Sequence, residues 1–304
     1  MSIYSEKDNY AEPVVKQYGR NMVMTNVTRD IKRKYINIDT KFRDEYNYSN
    51  IANYTITLPE RITNVKSIMV CNAEIPLTFY NISANLGNNC FTITFEGVSK
   101  TIIIPDAPYT AATLKTKINE LIQALPADYR ALSYDILIGP GDNSKFTCSS
   151  GSVTVNFDMD TGGVFDKYNF KSKLGWLLGF RKQSYIITSA STISECLIDL
   201  SGPRYLYLVI DEFAQNNPNS FISPQSGFLM NKNILARIAI NSSAFQFGSI
   251  LTANNLNGYL LTDRRDYNGI IDIKKLNIQI VNDIGKPMNF NGMDFSFCLE
   301  VTQE

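Results

Sequence analysis

Histidine is absent from this chain of 304 residues, and the chain has no formal net charge and no long apolar run. Without histidine, neither a Ser-His-Asp nor a Cys-His nucleophile system can form, and no zinc site can use imidazole ligands. The 29 basic and 29 acidic residues cancel, which removes the positive field expected of a protein that grips nucleic acid. No stretch approaches the roughly 18 consecutive apolar residues of a membrane-spanning helix. We therefore expect neither a nucleic-acid partner nor a membrane span.

Cysteine is scarce and scattered, without any CxxC pair. The five cysteines are Cys71, Cys90, Cys148, Cys196 and Cys298. They fall in or beside strand-like segments, where cysteine serves as a small buried hydrophobe. Their odd number and the lack of a signal peptide favour a reducing compartment.

Strand patterns dominate what is present, and the C-terminal residues show them most clearly. In residues 292–301, the apolar side chains of Met293, Phe295, Phe297, Leu299 and Val301 alternate with polar ones. An alternation of period two predicts a half-buried antiparallel strand. Residues 270–281 alternate likewise, with a phase change at Lys274-Lys275 that predicts a bulge.

Further strands are predicted along the whole chain, including one that Pro59 should stop and a hairpin around Glu96-Gly97. Their ranges are 34–39, 53–59, 65–76, 90–95, 100–104, 132–137, 145–148, 152–157, 185–188, 195–200, 205–213 and 235–240. A single segment has helical spacing, from the N-cap candidate Thr110 to Pro126. The pattern predicts an all-β fold, an antiparallel jelly-roll-like β-sandwich with one substantial helix near residues 110–125.

The N-terminal residues differ from the body. Residues 1–33 are mixed and polar, with apolar clusters only at 14–15 and 22–24. We interpret them as an extended arm that orders on a neighbouring chain, an ordinary frayed terminus being the alternative. Two regions follow: the arm, residues 1–33, and a β-sandwich body, residues 34–304. Within the body, residues 216–232 form a long loop suited to partner contacts.

Residues that could carry chemistry are few, and each favours a structural interpretation. Residues 158–163 resemble a calcium loop superficially, but Asn169 stands where the bidentate glutamate would be needed, so a turn is favoured. Trp176 is interpreted as a core anchor, and Arg264-Arg265-Asp266 as a surface charge cluster. Strand carboxylates could serve a glycosidase only as a pair at a fixed separation, and the sequence places no two of them so. These carboxylates are Asp199, Asp211, Glu212, Asp272 and Asp294. We predict no catalytic, cofactor-binding or metal-binding residues, no cofactor and no enzymatic activity.

The order of segments is more distinctive than any one of them. A strand and polar loop at 36–44 is followed by 54–59, 64–68, and Ala73-Glu74-Ile75-Pro76 within 73–82. Residues 104–110 then open the helix, and Leu178-Gly179-Phe180 and 292–300 come later. This series resembles the minor capsid or penton-type proteins of large nucleocytoplasmic DNA viruses.

The resemblance implies a structural virion protein with a jelly-roll-like fold, at a vertex or beneath the major capsid shell. Its implied partners are the major capsid protein and other minor capsid proteins, with a pentamer at a vertex as a possible homo-oligomer. Its implied location is the virion, assembled in the host cytoplasm. A carbohydrate-binding or fibre-type β-sandwich module is the alternative, since Trp176 or exposed tyrosines could stack on sugars.

Overall fold

The fold is antiparallel β throughout the part of the chain that the structure describes. The computed structural model describes residues 15–18, 21–24, 31–46, 50–137, 142–214, 221–225, 228–230, 233–241 and 246–304. The strands are β1 Val15–Tyr18, β2 Asn21–Met24, β3 Lys32–Asp39, β4 Asn53–Pro76, β5 Cys90–Phe95, β6 Val98–Ile103, β7 Leu132–Leu137, β8 Asn143–Cys148, β9 Val153–Asn156, β10 Ser184–Ile187, β11 Thr192–Leu197, β12 Tyr205–Asp211, β13 Ser223–Gln225, β14 Phe228–Met230, β15 Ile234–Ala239, β16 Ile250–Asn254, β17 Leu260–Thr262, β18 Arg265–Val281 and β19 Ser296–Gln303. The helices are α1 Ala111–Gln123 and α2 Leu174–Leu177, with short 3-10 helices at Thr40–Phe42, Ala127–Tyr129 and Lys167–Ser172. The predicted all-β class with one substantial helix is confirmed.

The largest sheet has eight strands in the order β17-β15-β12-β18-β4-β19-β3, with β16 also paired to β4. Its organising strand is β4, which pairs with β18 early in its course, with β19 later, and with β16 at its end. Period-two alternation drives one face of this sheet into a core that contains Phe297, Leu299 and Val301. Each such side chain contributes roughly 1.5–3 kcal/mol on burial.

The prediction that Pro59 stops a strand is wrong, because β4 continues through it. The β4/β18 register passes from Thr57 opposite Lys275 to Ile62 opposite Ile273, so β4 carries extra residues there. Lys274 Nζ donates to the carbonyl oxygen of Leu58 at 2.7 Å inside this irregularity. Proline fits such a place because a bulge needs no ladder hydrogen bond from it. The predicted bulge at Lys274-Lys275 is confirmed by the same register shift.

Residues 82–200 form an inserted unit with its own core between β4 and β12. The unit holds a four-stranded sheet, β10-β9-β5-β6, and a three-stranded sheet, β11-β8-β7. Its buried side chains form a cluster that shares no residue with the core of the eight-stranded sheet. Where we predicted one continuous body for residues 34–304, the described residues pack around two main cores. The boundary between arm and body stays a prediction, although β3 begins at Lys32 and the hairpin of β1 and β2 lies within the predicted arm.

Helix α1 covers the free edge of β7 in the inserted unit. It begins where Thr110 and Thr113 cap each other reciprocally, and it buries Leu114 and Ile118 in the second core. Asn119 then accepts a hydrogen bond from the backbone N–H of Tyr134 at 3.0 Å and donates one to the carbonyl oxygen of Tyr134 at 2.7 Å. The amide thus replaces a neighbouring strand, which satisfies backbone groups that an edge would leave open.

The tryptophan and the long loop differ in part from their predictions. Trp176 lies on α2 but is only half-buried, and the guanidinium of Arg181 stacks 4.0 Å from the centre of its ring. The prediction of a buried core anchor is therefore wrong for Trp176. In residues 216–232, β13 pairs with β14, and Met230 is buried against the outer side of the main sheet.

Candidate interaction surface

Four neighbouring strands of the main sheet end in one cross-strand row. Asp39 of β3 pairs with Ser296 of β19, Ser296 pairs with Glu74 of β4, and Glu74 pairs with Thr252 of β16. Because these strands are antiparallel to their neighbours, the segments beyond this row emerge at the same end of the sheet. They are residues 40–46, 290–295, 77–80 and 246–250.

Large apolar side chains stand in solvent on these segments. We call them the apolar rim; its members, with their exposed fractions, are Phe42 (73%), Tyr46 (44%), Phe247 (53%), Ile250 (61%) and Met293 (48%). Single exposed apolar residues are ordinary on soluble proteins, whereas several on adjoining segments mark a contact surface. Aromatic residues and methionine are also enriched at the centres of protein interfaces.

The segment after β3 is held by the Asp294 carboxylate. Thr40 Oγ1 donates to Asp294 Oδ1 at 2.8 Å and accepts from the backbone N–H of Phe295 at 2.9 Å. The buried guanidinium of Arg43 donates to the same carboxylate oxygen at 2.9 Å and to the carbonyl oxygen of Thr40 at 2.8 Å. These contacts fix the turn between Asp39 and Tyr46, which leaves Phe42 pointing outward.

Arg43 also positions one rim aromatic. Its Nη2 donates to the carbonyl oxygen of Tyr46 at 2.9 Å, and its guanidinium lies 3.9 Å from the centre of the Tyr46 ring. A cation over an aromatic face at this distance is attractive. Lys41 lies in the same way 4.8 Å from the ring centre of Phe42. Both rings are therefore oriented before any partner arrives.

The other half of the rim rests on paired backbone segments. The N–H of Leu77 donates to the carbonyl oxygen of Ser249 at 2.8 Å, and the N–H of Gly248 donates to that of Leu77 at 2.9 Å. Tyr80 stacks on Phe247 with ring centres 5.9 Å apart. The rim is thus rigid on both sides, so little conformational entropy remains to be lost on binding.

The inserted unit is tied to the main sheet beside the rim. Asn81 donates to the carbonyl oxygens of Tyr109 and Leu200 at 2.8 and 2.7 Å and accepts from the N–H of Tyr109 at 2.9 Å. One side chain therefore joins the segment that enters the inserted unit to the segment that leaves it. Thr78 Oγ1 donates to the carbonyl oxygen of Phe290 at 2.6 Å on the main-sheet side.

The carboxylates considered for glycosidase chemistry are not brought together as a pair. Asp199 bonds Arg204 at 2.8 Å, Asp272 lies 3.6 Å from Arg61, and Asp294 lies 2.9 Å from Arg43. Each of these three carboxylates therefore has a different cation as its partner. Asp211 accepts from the N–H of Phe213 at 2.8 Å.

Glu212 and Arg265 were placed differently by the sequence. Arg265 Nη1 lies 2.9 Å from Glu212 Oε2, and both side chains are fully buried. The interpretation of residues 264–266 as a surface cluster is therefore wrong for Arg265. Arg264 is partly exposed and bonds Glu300 at 3.2 Å. Such buried pairing marks a structural ion pair.

The loop at residues 158–163 is a turn, as the sequence favoured. Asp160 Oδ1 accepts from the N–H groups of Gly162 and Val164 at 2.9 and 2.8 Å. A cation is already present in the fold, because the buried Lys173 Nζ lies 3.1 Å from Asp166 Oδ2. Among the described residues, no group of three or more acidic or cysteine side chains could hold a metal ion. No helix in the described part of the chain has the length and apolar character to span a bilayer.

An antiparallel β protein with two cores, carrying a rigid rim of exposed apolar side chains, is the class that the fold and this surface define. The chain belongs to a family of unknown function, DUF5901, whose model matches residues 25–254. No curated protein matches its sequence.

Two solved structures are similar to the chain. The mavirus penton protein has 9% sequence identity and a TM-score of 0.43, covering 91% of this chain and 100% of its own. A chain from the Sputnik virophage structure has 12% identity and a TM-score of 0.39, covering 89% of this chain and 98% of its own. The kind of protein that the sequence resembles is thus present among its structural neighbours. Identities and TM-scores this low support no argument about function.

Proposed function

We propose that the chain is a structural virion protein, a minor capsid or penton component of an icosahedral capsid of a large DNA virus. It acts by protein-protein contacts and has no enzymatic role. The apolar rim is the single observation that carries this proposal, since five large apolar side chains stand in solvent on segments held by hydrogen bonds. The resemblance of the segment order to penton-type proteins supports the same function.

The rim is proposed to bury against a neighbouring subunit of the shell. Preorganised aromatic anchors are what a shell contact needs, because a few desolvated side chains supply most of the binding energy at an interface. The N-terminal arm, residues 1–33, is proposed to add a second contact that orders only on assembly. The ordering entropy of such an arm is lost on binding, which leaves the free subunit soluble.

Truncating the rim tests the proposal in particles of the virus itself. The double variant Phe42→Ser and Phe247→Ser should reduce incorporation into particles at least about tenfold, since each lost anchor costs about 1–3 kcal/mol. The variant should retain the wild-type circular dichroism and melting temperature, because both side chains are exposed. Incorporation at the wild-type level would contradict the proposal.

A matched control exists at the hairpin tip that precedes β17. Leu256 is 98% exposed and lies on a turn in which its own N–H donates to Asn254 Oδ1 at 2.9 Å. Leu256→Ser removes a similar exposed apolar side chain away from the rim, so incorporation should stay unchanged. Sedimentation of the purified protein then distinguishes a homo-oligomer, which the double variant would dissociate, from a contact with a different shell protein.

A further inference from the structure

Cys71 and Cys298 lie on neighbouring strands of the main sheet. Cys298 of β19 pairs with Asn72 of β4, and the next pair is Leu299 with Val70. Cys71 is therefore the extra residue of a bulge, in which two residues of β4 oppose one residue of β19.

The two thiols share the outer face of the sheet. Leu299 and Val70 are buried in the core, and alternation turns Cys298 to the opposite side. Cys71 and Cys298 are both half-buried and both reduced, so a small reagent can reach them. Directly opposed residues in an antiparallel pair have Cα atoms about 4.5–5.5 Å apart, and a disulfide requires about 4.4–6.8 Å.

Electrostatics also places the two sulfurs close together. Burial raises the pKa of the Cys71 thiol, and the neighbouring Cys298 thiol and Glu300 carboxylate raise it further. Burial and the Glu74 carboxylate raise the pKa of the Cys298 thiol. Both groups are thiols at neutral pH, which keeps them reduced until an oxidant and a fraction of thiolate are present.

We propose that Cys71 and Cys298 form an intramolecular disulfide when a small disulfide such as oxidised glutathione reaches this face. A proton leaves one thiol, and its thiolate attacks the glutathione disulfide, forming a mixed disulfide and releasing one glutathione thiolate. The second cysteine then loses its proton and attacks the protein sulfur of the mixed disulfide, releasing the second glutathione. The protein loses two hydrogens, and one oxidised glutathione becomes two reduced glutathiones.

The bond would fasten the end of the sheet that carries the rim. Cys298 is two residues from Ser296, which belongs to the row where the four strands end. A covalent link there holds the C-terminal strand β19 to β4, which lies at the middle of the sheet. The proposal concerns the chain alone and does not rest on the proposed function.

The test is the intact mass of the full chain after incubation with oxidised glutathione. We expect a decrease of about 2 Da, reversed by dithiothreitol, and a cross-linked peptide joining Cys71 to Cys298. Cys71→Ser and Cys298→Ser should each give a single glutathione adduct at the remaining partner. Cys196→Ser, which changes another half-buried cysteine, should cross-link like the wild type.

Stability gives a second measurement. The oxidised wild type should melt several degrees above its reduced form, whereas Cys71→Ser should show no such difference. Glutathione adducts on both cysteines without a cross-link, a disulfide that joins other cysteines, or unreacted thiols at Cys71 and Cys298 would each overturn the proposal.

Discussion

Arg265 Nη1 lies 2.9 Å from Glu212 Oε2, and the two side chains are 1% and 0% exposed. Arg265 also donates to the carbonyl oxygen of Ile210 at 2.8 Å, and Tyr267 donates to Glu212 Oε1 at 2.6 Å. The pair joins the end of β12 to the start of β18. A buried charge of this kind is tolerated because its hydrogen-bonding groups have partners.

Glu212→Gln should reduce the free energy of unfolding by about 3–5 kcal/mol, because it leaves a buried guanidinium without its counter-charge. Urea unfolding followed by circular dichroism measures this loss. The exposed pair of Arg204 and Asp199 is the control, since Arg204→Gln should cost only about 0–1 kcal/mol. Equal losses for the two variants would contradict this account of the ion pair.

Gly179 is expected to tolerate no side chain. Its φ is +89°, and an added Cβ would lie 2.0 Å from the carbonyl oxygen of Cys196. Gly179→Ala should cost about 3 kcal/mol or more, since it combines backbone strain with a clash against backbone. Gly97→Ala is the matched control, because Gly97 has φ +79° and nothing within 4 Å. It should cost about 1–2 kcal/mol, and a Gly179→Ala loss no larger than this would be contrary evidence.

Asn119 is expected to be more important than its partial exposure suggests. Asn119→Ala leaves the N–H and the carbonyl group of Tyr134 without their present partners, which should cost about 1–3 kcal/mol. Hydrogen exchange should accelerate along β7 while the eight-stranded sheet keeps its protection. Thr116→Ala, on the exposed side of α1, should change stability by less than about 0.5 kcal/mol. Unchanged exchange along β7 in Asn119→Ala would refute the role given to this amide.

Buried tyrosines should make the fold sensitive to alkali. Burial raises the pKa of Tyr54, Tyr134 and Tyr267, and burial together with the Glu195 hydrogen bond raises the pKa of Tyr185 to about 12. The folded state therefore keeps protons that the unfolded state releases near pH 10. Stability should be fully retained below about pH 10 and fall as pH rises above it. Ultraviolet titration should show these phenols ionising together with unfolding, and independent ionisation of a still-folded protein would be inconsistent with this.

Strand identity and the helix could be predicted from side-chain periodicity alone. Leu114 and Ile118 mark α1 because their four-residue spacing cannot serve a strand, and the residues around Glu96-Gly97 announce a hairpin with positive φ at both turn positions. Long-range pairing could not be predicted, because it depends on which strands meet. Arg265 looks like a surface charge until β12 brings Glu212 against it.

The rim also lay beyond sequence reasoning. Met293 is in phase with Phe295 and Phe297, so alternation predicts that it faces the core. In the structure β19 begins only at Ser296, and Met293 turns outward before the strand starts. Phe42 is similar, because a short 3-10 helix after Asp39 breaks the alternation. An exposed apolar residue at a strand end has the same sequence signal as a buried one, and only the local hydrogen bonds decide between them.

Quantitative mass spectrometry of purified virus particles tests the central claim most directly. The chain should co-purify with the major capsid protein through successive density gradients at a fixed ratio, and it should resist salt washes, since the rim contact is apolar. A chain found only in the soluble fraction of infected cells, and absent from purified particles, would contradict the assignment to the shell.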